Sequence, residues 1–253
     1  MNKKRKIIAT SAVLVTLLIA SRIVYVYDLL TENVQEYPYG ATDFGDRGGY
    51  SINSETILSS LEDGNANVFT PEMATPSVPI FEEPISWSQA DYLKIADALN
   101  EFVWNEPLDD WKLFSMDFIT ACHDDPRGFG LGDLYFFKTI FHKNGKLGET
   151  GRGYLISPQY GDVEWGGRQN FPYPFPSGWK SVDLEKVKIT AEDALRIADE
   201  NGGRKSRMSV QNQCKINVSL SGYTNWEVYI YSYKTGNSIF RMVIDPYTGK
   251  VIK

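Results

Sequence analysis

Apolar positions recur at helical spacing from Ser88 to about Val103, where Ala90, Leu93, Ile95, Ala96, Leu99 and Phe102 mark one stripe. The pattern then changes to alternation. Over Trp111–Cys122, Phe114, Met116, Phe118, Thr120 and Cys122 fall on one face, and Trp111, Leu113, Ile119 and Ala121 on the other. Leu134–Phe141, Arg152–Ser157 and Asp162–Trp165 read as further strands, with Asn144-Gly145 as a hairpin turn. The same order returns downstream. Helical spacing over Thr190–Asn201 stops at Gly202-Gly203. A strand follows with Met208, Val210, Cys214, Ile216, Val218 and Leu220 on one face, then an alternating run Trp226–Tyr233. Phe240–Ile244 turns through Asp245–Gly249 into Lys250–Ile252.

The two helical openings are near copies, 102 residues apart. Asp91/Asp193, Leu93/Leu195, Ile95/Ile197, Ala96/Ala198 and Asp97/Asp199 are identical pairs, and Ser88/Thr190 supplies a hydroxyl N-cap with Asp at N3. The ends match as well: Pro158, Gly161 and Val163 correspond to Pro246, Gly249 and Val251. The chain therefore predicts a duplicated unit, with Leu93 and Leu195 in equivalent surroundings.

Upstream, Lys3-Lys4-Arg5-Lys6 precedes fifteen uncharged residues, Ile7–Ser21. Basic residues before an apolar run make a targeting signal. With Arg22 snorkelling and Ile23–Tyr27 at the far interface, residues 1–27 predict an uncleaved membrane anchor that exports the rest. A cleaved signal peptide and secretion is the alternative. Residues 28–84 lack periodicity, and within them 31–84 carry ten acids against one base, so they predict a flexible acidic tether. The remaining divisions are a first module over 85–167, a connector over 168–186 and a second module over 187–253. In the connector, Phe171–Pro176 alternates aromatic and proline, which favours polyproline II. The net charge of −6 resides in the tether, so the folded part is near neutral and no basic face for nucleic acid exists.

Three pieces of the second module resemble the PepSY family: Ile189-Thr190-Ala191-Glu192-Asp193-Ala194, the strand Trp226–Ile230, and Val243-Ile244-Asp245-Pro246-Tyr247-Thr248-Gly249-Lys250-Val251. In the first module Ser157 and Tyr160 stand where the closing motif has Asp245 and Thr248. The resemblance implies a small α+β module, helix against an antiparallel sheet and often in tandem; with the internal repeat and the N-terminal apolar run, the chain predicts two such PepSY/cystatin-like helix-on-antiparallel-sheet modules after one N-terminal hydrophobic helix. The resemblance also implies an exported or membrane-attached protein that regulates partners such as peptidases, with no catalytic residues to carry over.

Candidate chemistry is sparse. Cys122, His123, Asp124 and Asp125, with His142, form the sharpest polar cluster, but no further Cys or His has ligand spacing. An exported enzyme acting near His123, Asp124 and Asp125, or a structural envelope component, is the alternative to a regulator. Gly128-Phe129-Gly130-Leu131-Gly132 reads as a flexible loop, since no helix follows to make it a phosphate cradle. No cofactor motif occurs. Cys122 and Cys214 both fall on apolar faces. Two small buried hydrophobes is the first reading and, given export, an inter-module disulfide the second. Tyr229, Tyr231 and Tyr233 line one strand face, and Tyr135 and Phe137 the matching face in the first module. Either the modules and the connector cover these rings, or they form an aromatic surface for a protein or peptide partner in the cell envelope.

Overall fold

Hydroxyl caps start both long helices. Helix α1 spans Gln89–Trp104, and Ser88 and Asp91 close a reciprocal capping box at its N-terminus. Helix α2, Ala191–Ala198, opens with the same box from Thr190 and Asp193. The two N-termini also cap each other: Ala191 N–H donates to Gln89 Oε1 at 2.8 Å, and Gln89 N–H donates to Glu192 Oε1 at 2.7 Å. Backbone donors left over in each first turn are satisfied by a side chain of the other helix, and the Glu192 carboxylate lies between two positive helix ends.

The computed structural model describes residues 15–24, 47–51, 87–122, 128–141, 147–158, 162–172, 181–221 and 225–252. Its strands are β1 Arg47–Ser51, β2 Lys112–Ala121, β3 Leu131–Phe141, β4 Leu147–Ser157, β5 Asp162–Pro172, β6 Cys214–Ser221, β7 Trp226–Ser232 and β8 Ser238–Ile244. All pair antiparallel in one sheet of order β1-β5-β4-β3-β2-β6-β7-β8. The fold is thus α+β, with helices on one face of a continuous sheet. The N-terminal and C-terminal halves meet edge to edge at β2–β6, where Met116 faces Leu220 and Phe118 faces Val218. The register runs on past the strand ends, where Cys122 N–H donates to Cys214 O and the two cysteines form a disulfide, Cα–Cα 5.2 Å. The second reading of the cysteines is the one observed.

The core lies between this sheet and the helices. Tyr92 of α1 packs so closely on Gly132 of β3 that a Cβ there would stand 2.5 Å from the ring, and its hydroxyl donates to Phe129 O at 2.6 Å. In α1 the buried positions include Tyr92, Ile95, Ala96, Leu99 and Val103; in α2 they are Ala191, Ala194, Leu195 and Ala198. Leu195 is buried while Leu93 is only partly so, and Ile95 is buried while Ile197 is not. The two helices share their caps but are rolled differently on the sheet, so the expected equivalence of Leu93 and Leu195 fails.

Other expectations need correction. A bulge at Phe114 puts Leu113 on the core face with Met116 and turns Phe114 the other way, because a bulge adds one residue to the two-residue period. The helix does break at Gly202-Gly203 as expected, since Asn201 at φ −102° and Gly202 at φ +112° leave helical geometry, but the chain then re-enters a second helix that was not expected, α3, Arg204–Ser209. Met208 therefore belongs to a helix and is exposed. β1 pairs with β5 inside the region expected to be only a tether, and β5 extends through Phe171 and Pro172, which pair with Glu149 and Gly148 rather than joining the connector. Phe129 is no loop residue: its backbone bridges Trp87 and its ring stacks on Phe118 at 5.0 Å. Among the described residues no helix is long and apolar enough to cross a membrane; residues 15–24 are helical, and the rest of 1–27 lies outside them.

Candidate partner surface on the open face of the sheet

Strict alternation in β7 decides which side chains reach the uncovered face. Trp226, Val228, Ile230 and Ser232 point to the helices and are buried, so Glu227, Tyr229 and Tyr231 point away. Registers with β6 and β8 then fix their neighbours: Asn217 and Arg241 flank Tyr229, and Lys215 faces Tyr231. Tyr229 and Tyr231 stack with centroids 5.7 Å apart. The Arg241 guanidinium lies 5.3 Å from the Tyr229 ring, and Lys215 Nζ 5.9 Å from the Tyr231 ring. Tyr233 follows at the turn and is 59% exposed. Beside it, Lys215, Asn217, Tyr231, Tyr233 and Gly236 surround a shallow recess of about 500 Å³.

A polar clamp holds the ledge. Tyr229 O–H donates to Glu227 Oε2 at 2.5 Å, and Arg241 Nη2 donates to the same oxygen at 3.1 Å. The hydrogen bond from Tyr229, then that from Arg241, hold the Glu227 carboxyl below its usual range, and the bond to Glu227 pushes the Tyr229 phenol up. The chemistry on offer is aromatic area with cationic donors around it, suited to contact and not to bond-making. Lys215, Asn217 and Arg241 were not singled out in the sequence. A signal was available for Lys215 and Asn217, which sit out of phase with buried Ile216 and Val218 in alternating β6, but not for Arg241, since β8 does not alternate.

The five aromatics expected to form one patch divide into two groups. Tyr135 and Phe137 lie on β3, three strands from β7, or about 14 Å at ~4.8 Å per strand. Phe137 is 4% exposed and offers no surface. Tyr135 lies over Gly151 and Gly153 of β4, where a Cβ on Gly151 would collide with its hydroxyl; burial pushes this phenol up to about 12. The ring covers backbone that glycine leaves bare, so its duty is internal packing. Between the two groups runs a row of cross-strand partners, Asp133, Asp117, Ser219 and Glu227. Burial, together with the facing Asp133 charge, pushes the Asp117 carboxyl up to about 6 against a lowering hydrogen bond from Ser219. His123, Asp124, Asp125 and His142 lie outside the described residues, and among those described no group of three acidic, Cys or His side chains could hold a metal.

The closing turn explains its own sequence. Asp245 Oδ1 accepts from Tyr247 N at 2.8 Å and Thr248 N at 2.9 Å, and Gly249 takes φ +72°. Pro246 O accepts from Lys188 N and Ile189 N, and Trp226 Nε1 donates to Ile189 O, so the turn and β7 together fix the approach to α2.

Residues 188–253 match the family model described as peptidase propeptide and YPEB domain, or PepSY. That span is about a quarter of the chain and holds α2, α3, β6–β8 and the closing turn. Such domains are often extracytoplasmic peptidase-inhibitor or regulatory modules, generally bind proteins or peptides, and are generally non-catalytic. No curated protein matches the chain.

Proposed function

We propose that the PepSY domain at 188–253 is the partner-binding end of a membrane-anchored, extracytoplasmic regulator that restrains an envelope peptidase and has no catalytic site of its own. The observation that carries this reading is the ledge of Tyr229, Tyr231 and Tyr233, ringed by Lys215 and Arg241, on a sheet face that no described helix covers. Tyrosine beside cations is a common composition for a recognition surface. The first half is a diverged second module in the same reading, supported by the matched capping boxes and the mutual caps of Gln89 and Glu192. Anchoring is supported by the helical stretch 15–24, whose Val15, Leu17, Leu18, Ile19, Ile23 and Val24 are all exposed. The disulfide fits an oxidising compartment.

The test uses the full chain in detergent micelles, added to washed membranes of the cells that express it, with hydrolysis of a fluorogenic peptide as readout. The chain is expected to slow hydrolysis, and the double variant Tyr231→Ser/Tyr233→Ser to lose at least fivefold in potency. Equal potency of the two proteins, or no effect of either, overturns the reading.

A further inference from the structure

The equivalent aspartates of the two helices have different fates. Asp97 and Asp199 each stand nine residues after their N-cap. Asp199 receives a buried cation: Arg207, 1% exposed, donates Nε to Asp199 Oδ1 at 3.2 Å and Nη2 to Oδ2. Asp97 spends Oδ1 on the Leu108 N–H at 2.8 Å, and its Oδ2 has no partner among the described residues.

What lies beside Asp97 is a recess of about 600 Å³ between α1, the segment after it and residues 181–185. Leu93, Leu108, Trp111 and Leu113 give it apolar walls. Asp97, Asp109 and Glu185 give it three carboxylates against one lining cation, Lys112, and a fourth, Asp183, is already paired with Lys186 at 2.6 Å. Leu93 opens onto it and is only partly buried, whereas its counterpart Leu195 is 3% exposed.

We infer that this recess is a binding site for an arginine side chain on a peptide segment of a partner protein. An arginine matches it at both ends. Its stem suits the walls of Leu93, Leu108 and Leu113, and its planar fork can address Asp97 while the rim carboxylates add attraction. Arg207 already makes this contact with Asp199 within the chain. A neutral apolar ligand would leave the carboxylates unanswered, and an anionic one would be repelled. The site is separate from the tyrosine ledge, which lies on the opposite face of the sheet.

The experiment titrates the blocked tripeptide acetyl-Ala-Arg-Ala-amide into the full chain by calorimetry, with the citrulline tripeptide as the neutral isostere. Asp97→Asn keeps an oxygen for the Leu108 N–H and removes the charge, so it tests the site without breaking the loop. Binding of the arginine peptide should weaken at least tenfold in Asp97→Asn and at least tenfold with citrulline, and should be unchanged in Tyr231→Ser/Tyr233→Ser. A second variant, Asp109→Asn/Glu185→Gln, alters only exposed rim charges and should weaken binding about threefold. Absence of binding by the arginine peptide, equal binding of citrulline, or binding insensitive to Asp97→Asn overturns the inference. Loss of ledge function in Tyr231→Ser/Tyr233→Ser leaves this result unaffected, so the two readings fail separately.

Discussion

Each half of the molecule secures the chain leaving its helix with a buried arginine, but by different routes. In the N-terminal half α1 runs unbroken to Trp104, and Arg152 arrives from the neighbouring β4. Its guanidinium lies 4.2 Å from the Trp104 ring centre and 4.1 Å from that of Trp111. It also donates to Asn100 Oδ1 and, at 3.2 Å, to Glu106 Oε2, while Tyr154 O–H donates to the same Asn100 oxygen at 2.6 Å. Burial would raise the Glu106 carboxyl, but hydrogen bonding from Lys138 and the Arg152 charge bring it below its usual range. In the C-terminal half the helix breaks at Gly202, and Arg207 folds back from α3 onto Asp199. One route ties helix to sheet; the other ties a helix to its own continuation. A cation can therefore do core duty wherever rings or carboxylates enclose it, and the first half uses both.

The comparison is sharpest at these arginines. Arg152→Ala should cost about 4 kcal/mol, because it opens a space between two indoles and takes a donor from buried Asn100; Arg207→Ala should cost about 3 kcal/mol, because it takes the buried cation from Asp199 without opening a gap between rings. Denaturant unfolding of the full chain measures both, and the reverse order would break the comparison. Next comes the closing turn. Gly249→Ala places a Cβ 3.0 Å from Ile189 in a left-handed conformation and should cost about 1–2 kcal/mol, whereas Gly236→Ala, at φ +69° with open space around it, should cost about 1 kcal/mol. Equal losses would remove the role assigned to the Ile189 contact.

The smallest effect is on pH. Folding raises the Asp117 carboxyl to about 6 from the ordinary value near 4. The folded protein thus binds the proton more tightly, so this contribution is full below about pH 4 and is lost as pH rises through about 6. With solvent screening the change is on the order of 1 kcal/mol. Asp117→Asn should flatten the stability profile between those limits; an unchanged slope would show that the β2–β3 carboxylate pair does not set it.

The parts of this fold that rest on local rules were legible in the sequence. Ser88 and Thr190 with Asp at N3 marked both helix starts, β7 alternated cleanly, and Asp245 with Gly249 announced a turn. What escaped depended on contacts distant in sequence. One added residue at Phe114 inverted the assignment of its neighbours on β2. β1 pairs within an acidic stretch whose composition resembles a spacer. Arg152 and Arg207 have the residue type expected at the surface, and only enclosure by Trp104, Trp111 or Asp199 makes them interior. Of the candidate site, Tyr229, Tyr231 and Tyr233 could be read from period two, while Tyr135 and Phe137 could not be separated from them without the strand order.

The β2–β6 junction has a consequence for biosynthesis. β3 is made soon after β2 and can pair with it, but the other flank of β2 waits for β6, and the two cysteines that close the junction are 92 residues apart. At roughly 5–20 residues per second, a ribosome leaves that flank bare for several seconds. An unpaired strand edge invites pairing with another nascent chain. A chaperone that escorts this polypeptide has a defined stretch to shield, the backbone from Ser115 to Ala121, until the second half arrives to cover it.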